Sequence, residues 1–384
     1  MSTRATEIER LATAGNERFD GVIRLAQAIF GAPIAALNLV TETQQFTVAA
    51  SGTPKASRGL GDSICQYTVQ REGVFEVPDL RLDDRFAEMP SVAAGPRVRF
   101  YAGVPLHSTS GQRVGSLCLL DLVPRELGNA QREMLADLGA MLEREIAVEL
   151  EMMRAGEVQA LLLPSEPPAL EGVEIAGRVQ QARAAGGDFF DWQVIDDGAP
   201  QLQFVLADVM GKGLSASLIA SEVRAVLRTH SRYATLAESL NRTVETIAQD
   251  LETNGSFVTM WTGRLDPVTG ALQYVDAGHG LGVVVSPRGV RRLAQPNVPL
   301  GVPFAGTMES STDVLEPDET VVIVSDGVFD VFGEIDLALD AVQAAADPAL
   351  TPAQLVDRVV DYAAAQGASD DLTAVALRRT GVRT

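Results

Sequence analysis

The chain has 384 residues, 46% of them hydrophobic and 21% charged, with a formal net charge of −20. That length suits two domains, each able to bury its own core. The acidic balance excludes a sequence-independent grip on nucleic acid, which needs a basic face.

Two cysteines, Cys65 and Cys118, without a CxxC pair exclude a disulfide framework or multi-thiolate zinc site and fit a reducing compartment. The first residues lack the apolar core of a leader peptide. No run approaches the ~18 apolar residues of a membrane span. A soluble, cytoplasmic protein with no membrane contact is the expectation.

In chain order, Ile8, Leu11, Phe19, Ile23, Leu25 and Ile29 predict an amphipathic helix over 4–30. Strands are expected at 34–40 and 45–50. Asp62-Ser63 opens a short helix around 64–67, before a strand at 74–77, a polar loop at 83–86, and strands at 98–106 and 113–122. The order predicts an antiparallel sheet with helices on one face.

Five phrases in this half occur together: Ser63-Ile-Cys-Gln-Tyr67, Val77-Pro-Asp-Leu80, Asp84-Arg-Phe86, Arg99-Phe-Tyr-Ala-Gly-Val-Pro-Leu106 and Gly115-Ser-Leu-Cys-Leu-Leu-Asp121. In this order they resemble GAF domains, over roughly the first 150 residues. The resemblance implies a small-molecule or redox sensing module, or a purely dimerising one. A pocket lined by Phe100, Tyr101 and the 83–86 loop would take a small-molecule ligand that nothing in the sequence names. Cys65 and Cys118 sit in apolar phrases and read as small buried hydrophobes rather than heme, bilin or metal ligands.

A long helix is expected over 129–160. Leu135, Leu138, Leu142, Ile146, Leu150 and Met153 are spaced 3, 4, 4, 4 and 3, a stripe of period 3.6 rather than a strict heptad. It is either a packed spacer or a dimer helix passing the state of one domain to the other. The second reading is preferred, because nothing else in the sequence offers to cover the stripe. Leu161-Leu-Leu-Pro-Ser-Glu-Pro-Pro168 ends the helix. The expected boundaries are 1–128 for the first domain, 129–168 for the connecting helix and linker, and 169–384 for the second domain.

Strands then follow at 173–180, 188–194 and 201–207, and helices at 214–229 and 236–251. Further strands fall at 257–265, 272–276, 281–285, 289–293 and 321–324, helices at 337–346 and 352–365, and a last strand at 372–377. The turns Asp266-Pro-Val-Thr-Gly270 and Ser286-Pro-Arg-Gly289 mark hairpins. The pattern predicts an α+β fold, a two-sheet αββα sandwich.

Four acidic phrases punctuate this half: Gly186-Gly-Asp-Phe-Phe-Asp191, Ala207-Asp-Val-Met-Gly211, Val324-Ser-Asp-Gly327 and Ser369-Asp-Asp-Leu-Thr373. Each sets an aspartate where an apolar strand begins or ends, with a glycine close by in the chain. Gly211 and Gly213 after Asp208 allow a sharp turn into a helix. One such aspartate is ordinarily a turn residue. Four at one sheet edge would repel, and divalent cations remove that penalty. Oxygen-only ligands in a chain with three histidines select magnesium or manganese over zinc. Two such ions hold a water between them and accept phosphate oxygens, so a phosphate ester is hydrolysed without a side-chain nucleophile.

With Ala277-Gly-His279, these phrases occur in the order of SpoIIE-type bacterial serine phosphatases, of the metal-dependent PPM (protein phosphatase 2C-like) superfamily. The resemblance covers roughly 169–380. It implies that Asp208 bridges two manganese or magnesium ions, with the Val209 carbonyl as a further ligand. Asp188 would serve the second metal, and Asp326 and Asp370 the first. Asp191 and Asp371 would support these ligands from behind or through water, or serve as caps. It also implies a phosphoserine or phosphothreonine substrate, typically a STAS-type anti-sigma-factor antagonist.

His279 is a general acid or, more ordinarily, a structural hydrogen-bonder. Lys212 either attracts phosphate or is a solvated turn lysine, the second reading being preferred. Two rival readings stay open: a non-catalytic scaffold for a phosphorylated partner, and a two-metal hydrolase of small phosphoesters.

Overall fold

The structure is a computed structural model. It describes residues 8, 11–12, 17–182, 184–196, 198–293, 297–303, 306–330, 342, 350–368 and 370–381. The chain divides into two compact units, Met1–Glu151 and Met152–Thr384.

The first unit begins with helix α1 (Glu17–Phe30), strands β1 (Ile34–Val40), β2 (Gln44–Ser51) and β3 (Ser57–Gly59), and the short helix α2 (Cys65–Thr68). Strand β4 (Phe75–Val77), helix α3 (Pro90–Ala93) and strands β5 (Phe100–His107) and β6 (Arg113–Asp121) complete its sheet. The six strands are antiparallel, in the order β3-β2-β1-β6-β5-β4.

Residues directly opposed across strands share a face. Ala36, Cys118 and Gly103 look one way, and Leu37, Leu117 and Val104 the other. Helix α4 (Asn129–Leu162) closes on the second face at Gly139, where a Cβ would lie 2.7 Å from Val104. Helices are not confined to that face. The first face is covered by α2 and the aromatic residues Phe75, Phe86 and Tyr101.

The stripe on α4 has a partner within this unit. Leu135, Leu138, Leu142, Ile146 and Leu150 are all at most 6% exposed. These five residues therefore need no second copy to cover them. Within this unit, the large apolar side chains that α4 leaves outward are Met134, Met141 and Val148, each about two-fifths exposed and seven residues apart. Leu142→Ala is expected to destabilise this unit by about 2–5 kcal/mol. Met141→Ala should change it by less than about 0.5 kcal/mol. Urea unfolding of the full chain checks the contrast.

The second unit holds two antiparallel five-stranded sheets. One contains β8 (Phe189–Ile195), β9 (Gln201–Val209), β10 (Val258–Leu265), β11 (Ala271–Ala277) and β14 (Ser311–Val314), in the order β14-β11-β10-β9-β8. The other is β13-β12-β15-β16-β7, made of β7 (Val173–Gln180), β12 (Gly282–Ser286), β13 (Gly289–Arg292), β15 (Thr320–Val324) and β16 (Leu372–Arg379).

Helices α5 (Leu214–His230) and α6 (Leu236–Asn254) pack on the outer face of the first sheet, against Phe189, Val205, Ala207 and Val209. Helix α7 (Asp326–Asp330) follows β15, and α8 (Pro352–Ala365) packs outside the second sheet, against Val322, Ala374 and Ala376. Between the sheets lie Phe190, Trp192, Phe204, Leu206, Trp261, Ile323 and Val375. The layers are αββα.

Strand alternation produces this sorting: odd residues of β9 face helices and even ones face the other sheet. All of the expected helix at 337–346 except residue 342, residue 369 of the last acidic phrase, and 4–7, 9–10 and 13–16 of the first helix lie outside the described residues. Strands β3 and β14 have no counterpart in the sequence reading. Ser57-Arg-Gly59 and Ser311-Thr-Asp-Val314 are short, polar edges without alternation.

Candidate metal centre

Strand register brings the aspartates together. Phe189 opposes Ala207, so the pairing of β8 with β9 carries Asp188 to the place beside Asp208, both on the inter-sheet side. On the other sheet, Val324 opposes Ala374, and Ser325 N–H donates to the Thr373 carbonyl at 2.9 Å. Asp326 and Asp370-Asp371 therefore leave neighbouring strands at the same end. Thr373 joins the two sheets, donating its hydroxyl to Asp188 Oδ2.

Burial first, then the adjacent Asp208 and Asp371 carboxylates, push Asp188 well above the usual carboxylate range. Asp208 is raised to about 6 by burial and by Asp326, Asp370 and Asp371, against a hydrogen bond with Asp188. Asp371 is raised by burial and by Asp370, although its oxygens accept from Ala182 N–H at 2.8 Å and Gly187 N–H at 3.1 Å. Asp188, Asp208, Asp326, Asp370 and Asp371 thus form one electrostatic group.

Glycines permit this approach. A Cβ on Gly186 would lie 2.0 Å from Asp371 Oδ2, and one on Gly187 would lie 2.5 Å from the Val209 carbonyl. Gly211 and Gly213 take φ of 112° and 77°, the left-handed region that the turn after Asp208 requires.

Among the described residues, no three His, Cys, Asp or Glu side chains close around one point as an ion's cage does. Lys212 Nζ lies 2.7 Å from Asp370 Oδ2, so this lysine is part of the site rather than a free turn residue. The donor set itself suits hard divalent cations: oxygens only, on rigid strand ends, carrying more negative charge than the local cation offsets.

Two residues stand apart. Asp191, 4% exposed, looks toward α5, where Arg228 Nη1 lies 2.7 Å and Arg224 Nε 3.3 Å from Oδ2. It is an ion-pair anchor between sheet and helix. Parity explains this, since it shares the helix-facing side with Phe189. His279 donates from Nε2 to the Val324 carbonyl at 2.9 Å and accepts at Nδ1 from Thr259 Oγ1 at 3.1 Å. Both ring nitrogens are spent on joining β10 to β15.

Gln159 was not singled out from the sequence. On the last turns of α4, within this unit and 7% exposed, it donates to the Gly186 carbonyl at 2.8 Å. It also accepts from Gly186 N–H at 3.3 Å and Gln181 at 2.9 Å. Gly156, one turn earlier, packs on the Ala184 carbonyl. A glutamine on an amphipathic helix reads as a solvated face, so no signal marks it. Thr373 and Ser325 had only their places beside the acidic phrases to mark them.

The comparisons with known proteins agree with this architecture. The family model described as Stage II sporulation protein E (SpoIIE) matches residues 198–380, and that of the GAF domain matches 15–146. The chain carries a GAF domain followed by a SpoIIE-family domain of the PPM class. The matched SpoIIE stretch begins after Asp188, whose place beside Asp208 rests on strand register.

Phosphoserine phosphatase RsbU of Bacillus subtilis is 26% identical over 193 residues, 49% of this chain and 55% of that protein. Cyclic di-GMP phosphodiesterase PA2567 of Pseudomonas aeruginosa is 35% identical over 138 residues, 36% of this chain and 21% of that protein. The chain thus spans from about a fifth to about half of these relatives. In fold, the SiaA-PP2C domain of Pseudomonas aeruginosa is similar with a TM-score of 0.51 at 20% identity, covering 66% of this chain and 99% of that one. Among the described residues, no helix of this chain is long and apolar enough to cross a membrane.

Burial lowers His279 from its ordinary 6.5 to about 4, so the folded unit holds it neutral. Between those values only the unfolded chain takes the proton, so this residue's contribution rises with pH and is lost as pH falls from about 6.5 to 4. The loss is on the order of 3 kcal/mol. The raised carboxylates slope the other way, so His279→Gln isolates the effect. Its stability should fall less steeply than the parent's over that window, measured by urea unfolding.

Proposed function

We propose that this protein is a sensor-regulated, metal-dependent protein serine/threonine phosphatase. The observation that carries the reading is the meeting of Asp188, Asp208, Asp326 and Asp370 at one end of the sandwich, with the Val209 carbonyl against Gly187. These are the groups that would hold two divalent ions, manganese or magnesium. When bound, the ions supply activation of water and neutralisation of phosphate charge.

The chain's own residues fix the carboxylates. Thr373 keeps Asp188 turned inward, and the amides of Ala182 and Gly187 fix Asp371. Lys212, once released from Asp370, offers an ammonium to the incoming phosphate. The leaving-group proton comes from solvent rather than His279, whose ring is fully engaged.

RsbU, a phosphoserine phosphatase, supports a phosphoserine or phosphothreonine protein as substrate. We assign a STAS-type anti-sigma-factor antagonist as that protein, acting in the cytoplasm. The organising boundaries are 1–128, 129–168 and 169–384, with the GAF domain binding an unnamed small molecule. A homodimer through α4 would use the outward Met134, Met141 and Val148.

Release of phosphate from a phosphoserine protein should require manganese or magnesium. Asp208→Ala and Asp326→Ala should each lower turnover by about 10²–10³-fold. Asp191→Asn should lower stability instead. Unchanged turnover in either alanine variant overturns the mechanism. Partner binding without metal-dependent release favours the scaffold, and turnover of small phosphoesters alone favours the general hydrolase.

Gln159 gives the connecting helix a purchase on the loop before Asp188. Gln159→Leu in the full chain should cost about 10–100-fold in metal affinity or activity. Isothermal titration with manganese, beside the turnover assay, checks it.

A further inference from the structure

Both cysteines of the chain lie inside the first unit, and both sulfurs sit at one amide. Asn38 Nδ2 is 3.1 Å from Cys118 Sγ and 3.4 Å from Cys65 Sγ. The amide's orientation is set from its other side, since Asn38 Oδ1 accepts from Thr47 Oγ1 at 2.7 Å and Gln45 Nε2 at 2.9 Å. Gln45 Oε1 accepts in turn from the Ser63 hydroxyl, two residues before Cys65.

Tyr101 OH is 3.5 Å from Cys65 Sγ and 2.6 Å from Thr68 Oγ1. The Ser116 hydroxyl is buried without a conventional hydrogen-bond partner, and Cys65 is its polar neighbour. A thiol that only fills space needs no donors around it. Donors from Asn38, Tyr101 and Ser116 aimed at sulfur suit a site that holds a thiolate.

We propose that Cys65 and Cys118 are a two-electron redox pair, which a hydroperoxide closes to an intramolecular disulfide that ties α2 to β6. The Cys65 thiolate attacks the terminal peroxide oxygen. The O–O bond breaks, Cys65 becomes a sulfenic acid, and the departing oxygen leaves as water or an alcohol after taking a proton. Cys118 sulfur then attacks the sulfenic sulfur, the S–O bond breaks, and the hydroxide takes the Cys118 proton and leaves as water. Two thiols and one hydroperoxide give one disulfide, one water, and one alcohol or second water; the thiols lose two electrons and the peroxide gains them.

The two sulfurs are not equivalent, and that sets their order. The hydrogen bond from Cys118 holds Cys65 down to about 6 against the cost of burial, with the Ser116 and Tyr101 hydroxyls and Arg58 adding to it. The same bond and burial push Cys118 up. Geometry orders them the same way: Cys65 has the Tyr101 and Ser116 hydroxyls as well as the Asn38 amide beside it, so it is the attacking thiol, and Cys118, which shares the Asn38 amide, is the resolving one. A reducing compartment keeps the pair open until oxidant arrives.

The test uses the full chain under native conditions. It is treated with hydrogen peroxide, quenched with an alkylating agent in denaturant, and mapped without reductant. The expected product is a monomer lighter by two hydrogens, with a Cys65–Cys118 cross-linked peptide that dithiothreitol reverses. Cys118→Ser should leave a sulfenic acid on Cys65 that dimedone captures, and Cys65→Ser should leave Cys118 unmodified.

Full alkylation of both thiols after peroxide overturns the proposal. So does a link between two chains, over-oxidation of Cys65 with Cys118 still free, or dimedone capture at Cys118 in Cys65→Ser. The wild-type peptide map decides by itself if either variant fails to fold.

Discussion

Repulsion between carboxylates is the constraint that the second unit is built around. Asp188 and Asp208 stand side by side on adjacent strands, and Asp326, Asp370 and Asp371 face them from the other sheet. A flexible chain would let these charges drift apart. Here Ala207 and Val209 are buried under α5 and α6, and Ile323 and Val375 between the sheets, so the strand ends cannot spread without opening both cores. The apolar packing holds the charges, and such a set of oxygens on rigid strand ends is of the kind that suits hard cations.

Two of the surrounding contacts show how the strain is distributed. Thr373 spans the sandwich to Asp188, whereas Lys212 reaches from the turn after β9 to Asp370. One is a neutral donor that tolerates an ion beside it. The other is a cation that competes with one. Asp188 is thus held by a neutral hydroxyl and Asp370 by an ammonium.

Most of the frame was legible because strand alternation and glycine both leave marks in sequence. The bounds of β1, β7 and α8 agree with the residue pattern, and the phrases around Asp188, Asp208, Asp326 and Asp370 each announce a strand end with a glycine within three residues. Asp191 was harder to place, since proximity in sequence to Asp188 says nothing about facing. Parity sends it to Arg224 and Arg228. Gln159 carries no mark in the sequence and Lys212 reads there as a turn lysine, because each is polar on a polar stretch and its partner, Gly186 or Asp370, lies far along the chain. The α4 stripe was read correctly as buried, but its cover is the sheet of its own unit, a pairing that periodicity alone does not specify.

The first unit makes the converse point about apolar phrases. Leu117-Cys-Leu119 and Ile64-Cys65 look like packing, and in burial they are. Yet alternation puts Cys118 on the face away from Leu117 and Leu119, opposite Gly103, where the strand offers no bulk and the space goes to Asn38, Tyr101 and the second sulfur. A polar cluster survives inside a core only when its members satisfy one another. Asn38, Gln45, Thr47 and Ser63 do so completely, which holds the amide nitrogen at the two sulfurs. The same rule governs both units. In the second unit carboxylates are held together by apolar walls. In the first, two thiols are held together by an amide that has no other direction to point.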